Sequence, residues 1–126
     1  MLPWNLEDWL TDEGDKVVRK HSALGDAGLS DQERLLYEVW LFDSETRNGG
    51  ISQYFCNHGN AQWAALCAAA RSKLPSFRTF ADSVDQIVAG QQDPYEAVIG
   101  SGDALDQAYA AVQARLVAEL KAHAQQ

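Results

Sequence analysis

Side-chain catalysis needs an acid or a base held beside a polar group, and the densest run of such residues in this chain lies between Glu45 and His58. Glu45, Asn48, Gln53, Asn57 and His58 surround an Asn48-Gly49-Gly50 break there. One carboxylate and one imidazole are the groups that proton transfer would use. No nucleophile with a partnered base accompanies them, and Gly49-Gly50 lacks the Lys and the Ser or Thr of a phosphate-binding loop. The same amides and carboxylate can satisfy backbone groups left open at helix ends, which is the first reading for this cluster. Metal finds no ligand set: Cys56 and His58 are two apart and point to different faces of a helix, and His21, His58 and His123 are far apart. No cofactor is implied. Cys56 and Cys67 are expected to be buried free thiols.

A second chemistry is written in the carboxylates. The chain carries a net charge of −8, and the excess is concentrated. Residues 1–15 hold Glu7, Asp8, Asp12, Glu13 and Asp15 with no base. Residues 82–106 hold Asp82, Asp85, Asp93, Glu96, Asp103 and Asp106, again with none. Asp82 with Asp85, and Asp103 with Asp106, repeat at i, i+3, which places each pair about 5–6 Å apart on a helix face. Phosphates follow a DNA strand at about 3.4 Å of axial rise, so carboxylates on stiff helices can stand in for a few of them. Such a surface repels nucleic acid and attracts a basic protein, with salt-sensitive, steered association. The ordinary roles are also present: Asp8, Asp93 and Glu96 suit helix starts, and Arg78 lies four residues before Asp82 and is placed to neutralise it.

The elements that position these groups are helices. At 126 residues with 46% apolar and 22% charged side chains, the chain reads as one globular domain over 1–126. Asn5 is placed as the cap of a first helix, with Trp4 against Trp9 as a hydrophobic staple and Leu10, Val17, His21 and Leu24 as its apolar stripe. Gly14 weakens that helix by about 1 kcal/mol relative to Ala. Ser30 and Glu33 form a capping box for a core helix with Leu35, Val39, Phe42 and Thr46 in line, leaving Arg34, Glu38 and Glu45 as its polar residues. After the glycines, Ile51, Tyr54 and Phe55 share a face, and Asn60 is placed to cap a helix through Trp63, Leu66, Cys67 and Ala70 to Leu74. Pro75 ends that helix, and Ser76 is expected to cap one bearing Phe77, Phe80, Ala81, Val84, Ile87 and Val88. Asp93-Pro94 opens a short helix to Ile99, and Ser101 a last one with Leu105, Tyr109, Val112, Leu116 and Leu120, fraying from His123. No strand pattern competes. The fold class is therefore all-α, a single compact domain of about six or seven helices.

The pattern E-x-x-N-G-G-x-x-Q-Y-F-x-N-x-G, carried by Glu45, Asn48, Gly49, Gly50, Gln53, Tyr54, Phe55, Asn57 and Gly59, resembles the signature of the bacterial DNA mimic protein family, a domain of unknown function. Ile51 stands where an aromatic residue is common in that family, and His58 where a small polar one is usual. Weaker similarity continues to Leu105-Asp106-x-x-Tyr109, so the resemblance is strongest over 30–120. It implies an all-helical fold and a non-catalytic acidic module that occupies the basic surface of a DNA-binding protein such as a transcription regulator. The helix-end chemistry makes the motif residues structural, and the charge pattern makes the acids of the two runs, Asp15 apart, the expected contact surface. An immunity or antitoxin-like inhibitor is the related alternative, and an enzyme at the Asn-Gly-Gly corner the contrasting one. The longest apolar run, Ala64 to Ala70, cannot span a bilayer, and the N-terminus lacks the positive region of a secretion signal. The expected setting is the cytoplasm, without membrane or direct nucleic-acid binding; a homodimer is compatible with the reading.

Overall fold

The computed structural model describes residues 2–125; Met1 and Gln126 lie outside the described residues. Six α-helices follow one another: α1 (Trp4–Leu24), α2 (Asp31–Asn57), α3 (Gly59–Ala70), α4 (Pro75–Val88), α5 (Pro94–Ile99) and α6 (Gly102–Ala124). A 3-10 turn at Asp26–Gly28 joins the first two. The all-α architecture is the one that the apolar periodicity predicts, with no strand among the described residues.

Helix α2 is the axis, because α1, α3, α5 and α6 all pack on it. Phe42 lies at its centre, with the rings of Tyr54, Tyr109, Phe80 and Trp63 at centroid distances of 4.8, 5.1, 5.8 and 5.9 Å. Aromatic pairs of this kind contribute about 0.5–1.5 kcal/mol each beyond the area that they bury. The capping box forms as expected: Ser30 Oγ accepts from Glu33 N–H at 3.1 Å, and the Glu33 carboxylate accepts from Ser30 N–H at 2.9 Å. Those bonds, with Lys20 alongside, hold the Glu33 carboxyl below its ordinary pKa.

Several helix starts differ from the sequence reading. Helix α1 begins at Trp4 after Pro3, whose carbonyl accepts from Leu6 and Glu7, so Asn5 is inside the helix and Trp4 projects into water instead of stapling Trp9. Leu24 is exposed as well. Asn60 does not cap α3; its amide donates to Gln91 O at 3.0 Å and ties α3 to the turn after α4. Pro75 opens α4, where its missing N–H costs nothing, and Ser76 answers the Glu119 carboxylate of α6 through both N–H and hydroxyl. Helix α6 continues past His123 to Ala124, where Gln32 of α2 donates to His123 O.

Gly14 has a packing reason that propensity alone conceals. It is buried in α1 against Trp40 of α2, and a β-carbon there would stand 2.0 Å from Trp40 Cδ1. The absent side chain is what lets the two helices close on the indole.

Candidate partner-binding surface and the polar core behind it

The Asn-Gly-Gly break divides α2 into two helical segments that meet at a kink, because Gly49 and Gly50 both leave helical backbone angles. Gly50 takes φ +81° and ψ 172°, a region closed to side-chain-bearing residues, and the ladder of hydrogen bonds is interrupted there. The freed N–H of Ile51 donates to Asp106 Oδ1 of α6 at 2.7 Å, so α6 supplies the cap for the second segment of α2. A β-carbon on Gly50 would stand 2.8 Å from the other Asp106 oxygen, and one on Gly49 would overlap Gln53 Oε1. Across the bend, Asn57 Nδ2 donates to Glu45 Oε2 at 2.5 Å. Tyr54 and Phe55 face the core. The Glu45-to-Gly59 stretch and the Leu105-Asp106-x-x-Tyr109 stretch thus meet in one structural device.

Tyr109 completes it through a residue that the sequence reading missed. Asp43 is 0% exposed; its Oδ1 accepts from Tyr109 Oη at 2.5 Å and from Gln113 Nε2 at 2.7 Å. Arg47 Nε stands 2.7 Å from Oδ2, a charge contact outside hydrogen-bond alignment, and Arg47 Nη1 reaches Glu7 of α1 at 3.2 Å. Burial, then the Asp43 charge, pushes the Tyr109 hydroxyl well above its ordinary pKa. A chain of contacts therefore runs Glu7–Arg47–Asp43–Tyr109 and fastens α1, α2 and α6 together. Helical arithmetic offered the signal: Asp43 is four residues after Val39, on the stripe assigned to the core.

Glu38, expected on the polar side of α2, is only 1% exposed. Gln62 Nε2 donates to it at 2.6 Å, Arg34 Nε lies 3.3 Å away, and burial raises its carboxyl above the ordinary value. It lies in the wall of a cleft of about 590 Å³ with His21, Asp26, Arg34, Tyr37, His58 and Gln62. His21 stacks on Tyr37 at 4.2 Å and lies 2.7 Å from Asp26. That bond, with Arg34 nearby, lowers the Asp26 carboxyl. His58 Nε2 is 3.8 Å from Glu45, so the carboxylate and imidazole of the corner are not hydrogen-bonded to each other. Cys56 and Cys67 are free thiols, but Cys56 is exposed and Cys67 half-buried, contrary to expectation. Burial pushes the Cys67 thiol up to about 11.

The predicted acidic surface separates into carboxylates with work inside the fold and carboxylates facing solvent alone. Asp82 and Asp85, read as an exposed pair with Arg78 placed to neutralise Asp82, both close on Arg71 of the α3–α4 turn. Asp82 does so at 2.7 Å, and Asp85 also accepts from the Trp63 indole at 2.8 Å. Arg71, not Arg78, is their partner; Arg78 Nε instead donates to Arg71 O at 3.0 Å. The Asp82 bond, then Asp85, raises the Arg71 guanidinium further above its already high range. Asp106 is the cap described above, and Asp93 caps Glu96 N–H of α5 at 3.2 Å. Glu7 pairs with Arg47 and Glu13 with Lys16. Asp8, Asp12, Glu96 and Asp103 are exposed, and no ion pair engages them among the described residues.

Two of the acid-bearing helix starts are drawn to the same corner. Glu7 of α1 reaches Arg47 just before the α2 bend, and Asp106 of α6 reaches Ile51 just after it. Asp8 follows Glu7 directly, and Asp103 precedes Asp106 by one turn.

The class that these features define is a single all-helical domain with a kinked central helix and a cross-helix cap at the kink. The sequence model of the family described as DMP19-like protein matches residues 27–125, and the chain belongs to that family. No curated protein and no solved structure matches it significantly. None of its helices, among the described residues, is long and apolar enough to cross a membrane.

Proposed function

We propose that the protein is a non-catalytic acidic binding module that occupies the nucleic-acid-binding surface of a basic protein, a transcription regulator being the leading kind, from a cytoplasmic location. The observation that supports this reading is that Glu7 of α1 and Asp106 of α6 both reach α2 at its bend, through Arg47 and Ile51, with the exposed Asp8 and Asp103 no more than one helical turn from them in sequence. Membership of the DMP19-like family supports a DNA-mimic role. Asp8, Asp12 and Asp103 are the principal contacts, with Asp93 and Glu96 at the start of α5 and Glu7 and Glu13 on α1 adding to the field. Asp82, Asp85 and Asp106 serve the fold first, because each already satisfies an internal partner. Free thiols suit a reducing compartment.

Carboxylates fixed on stiff helices need little reorganisation on binding, and complementarity to a basic groove gives fast, salt-sensitive association. Glu45 is tied to Asn57, and this favours a structural corner over a catalytic one. The test is retention of lysate proteins on the immobilised chain at low salt, followed by challenge with duplex DNA. Basic DNA-binding proteins should be retained, displaced by DNA, and lost when Asp8, Asp12 and Asp103 are changed together to Asn. Retention of no basic protein overturns the proposal. A retained protein held through a catalytic site and indifferent to duplex DNA would establish the inhibitor reading instead.

A further inference from the structure

We propose that Trp4 is the aromatic anchor of this acidic surface and receives an arginine guanidinium of the basic partner on its indole face, an inference that rests on the binding reading above. Trp4 is 77% exposed, whereas Trp9, Trp40 and Trp63 are buried or half-buried. Its position decides what kind of group meets it. It stands in the first turn of α1, so Glu7 and Asp8 at i+3 and i+4 lie one turn on along the same side of the helix. Glu7 is engaged by Arg47, which leaves Asp8, one helical turn on from Trp4, as the free carboxylate on that side.

A cation drawn in by Asp8 therefore arrives beside the strongest cation-binding ring among the side chains. Arginine is favoured over lysine, because its planar guanidinium stacks on an aromatic face while still reaching a carboxylate. An apolar occupant would have to bury Asp8 without a partner, and an anionic lipid surface is repelled by the chain's net charge of −8. Tryptophan and arginine are also the residues that most often dominate interface energetics. The anchor lies on α1, outside the segment 27–125 that the family model matches.

The test titrates the full chain with octaarginine amide at low salt, followed by tryptophan emission and by calorimetry. Trp4→Ala should weaken binding about two- to five-fold and abolish most of the emission change, while Trp4→Phe weakens it less. The unfolding midpoint should stay unchanged, since the ring is exposed. Asp8→Asn should weaken binding more in the wild type than in the Trp4→Ala background. The proposal is overturned if the peptide does not bind, or if Trp4→Ala binds it as the wild type does. It is overturned equally if sedimentation shows the wild type self-associating through Trp4 and the variant not. DNA-displaceable retention of basic proteins that persists undiminished in Trp4→Ala would sink the anchor and leave the binding reading standing. A Trp4-dependent peptide signal without such retention would sink the binding reading, and with it the anchor's assignment to a basic partner, while leaving the guanidinium contact at Trp4 itself in place.

Discussion

Replacing Asp43 tests whether the buried carboxylate holds three helices together. Asp43→Ala removes the acceptor of the Tyr109 hydroxyl and the Gln113 amide, both buried, and leaves Arg47 with Glu7 alone. Hydrogen bonds to a charged group contribute about 1.5–3 kcal/mol each, and breaking a buried charged pair costs about 3–5 kcal/mol. Arg47 is 38% exposed, so its share is screened and the two bonds from α6 dominate. The expected loss is about 3–5 kcal/mol, read from the urea midpoint at constant slope. Asp43→Asn retains an oxygen for Tyr109 and Gln113 but turns an amide toward Arg47, so its loss should be smaller. Tyr109→Phe removes one donor and should cost about 1.5–3 kcal/mol. A loss below about 1 kcal/mol for Asp43→Ala would refute the claim that this network fastens α1 and α6 to α2.

Other outcomes follow from the same geometry. Gly14→Ala gains about 1 kcal/mol of helix propensity but forces a β-carbon to 2.0 Å from Trp40; overpacking should dominate and lower the melting temperature. Asp106→Ala should cost about 0.5–2 kcal/mol through the lost cap on Ile51, with Asp106→Asn nearly harmless; equal losses would show that the charge, not the acceptor, matters. Glu38 has a folded pKa raised above the usual 4.5 by burial, so its ionisation works against the folded state. Its contribution is fully present below the unfolded pKa and is lost as pH rises through the folded one. The difference in stability between wild type and Glu38→Gln should therefore move against the wild type as pH is raised from about 4 to 7, measured by denaturant titration at each pH. Asp82→Asn should leave partner retention intact, because Arg71 already holds that carboxylate.

What the sequence determined by itself was everything governed by local period and local chemistry. The apolar spacing in 35–46 and 77–88 gave α2 and α4, Ser30 with Glu33 gave the capping box, Asp93-Pro94 opened α5, and Asn48-Gly49-Gly50 marked the bend. These depend on residues within a turn or two of one another. Tertiary structure alone decided which polar groups the helices would bring face to face. Asp43 meets Tyr109 and Gln113 across 66 and 70 residues of chain, and Asp106 meets Ile51 across 55. Gly14 reads as a weakness by propensity, yet Trp40 lies on it, and the local i, i+4 spacing assigns Asp82 to Arg78, whereas packing gives it and Asp85 to Arg71. A carboxylate's charge is written in its residue type, but whether that charge faces water or an internal partner is set by packing over distances that no local pattern encodes.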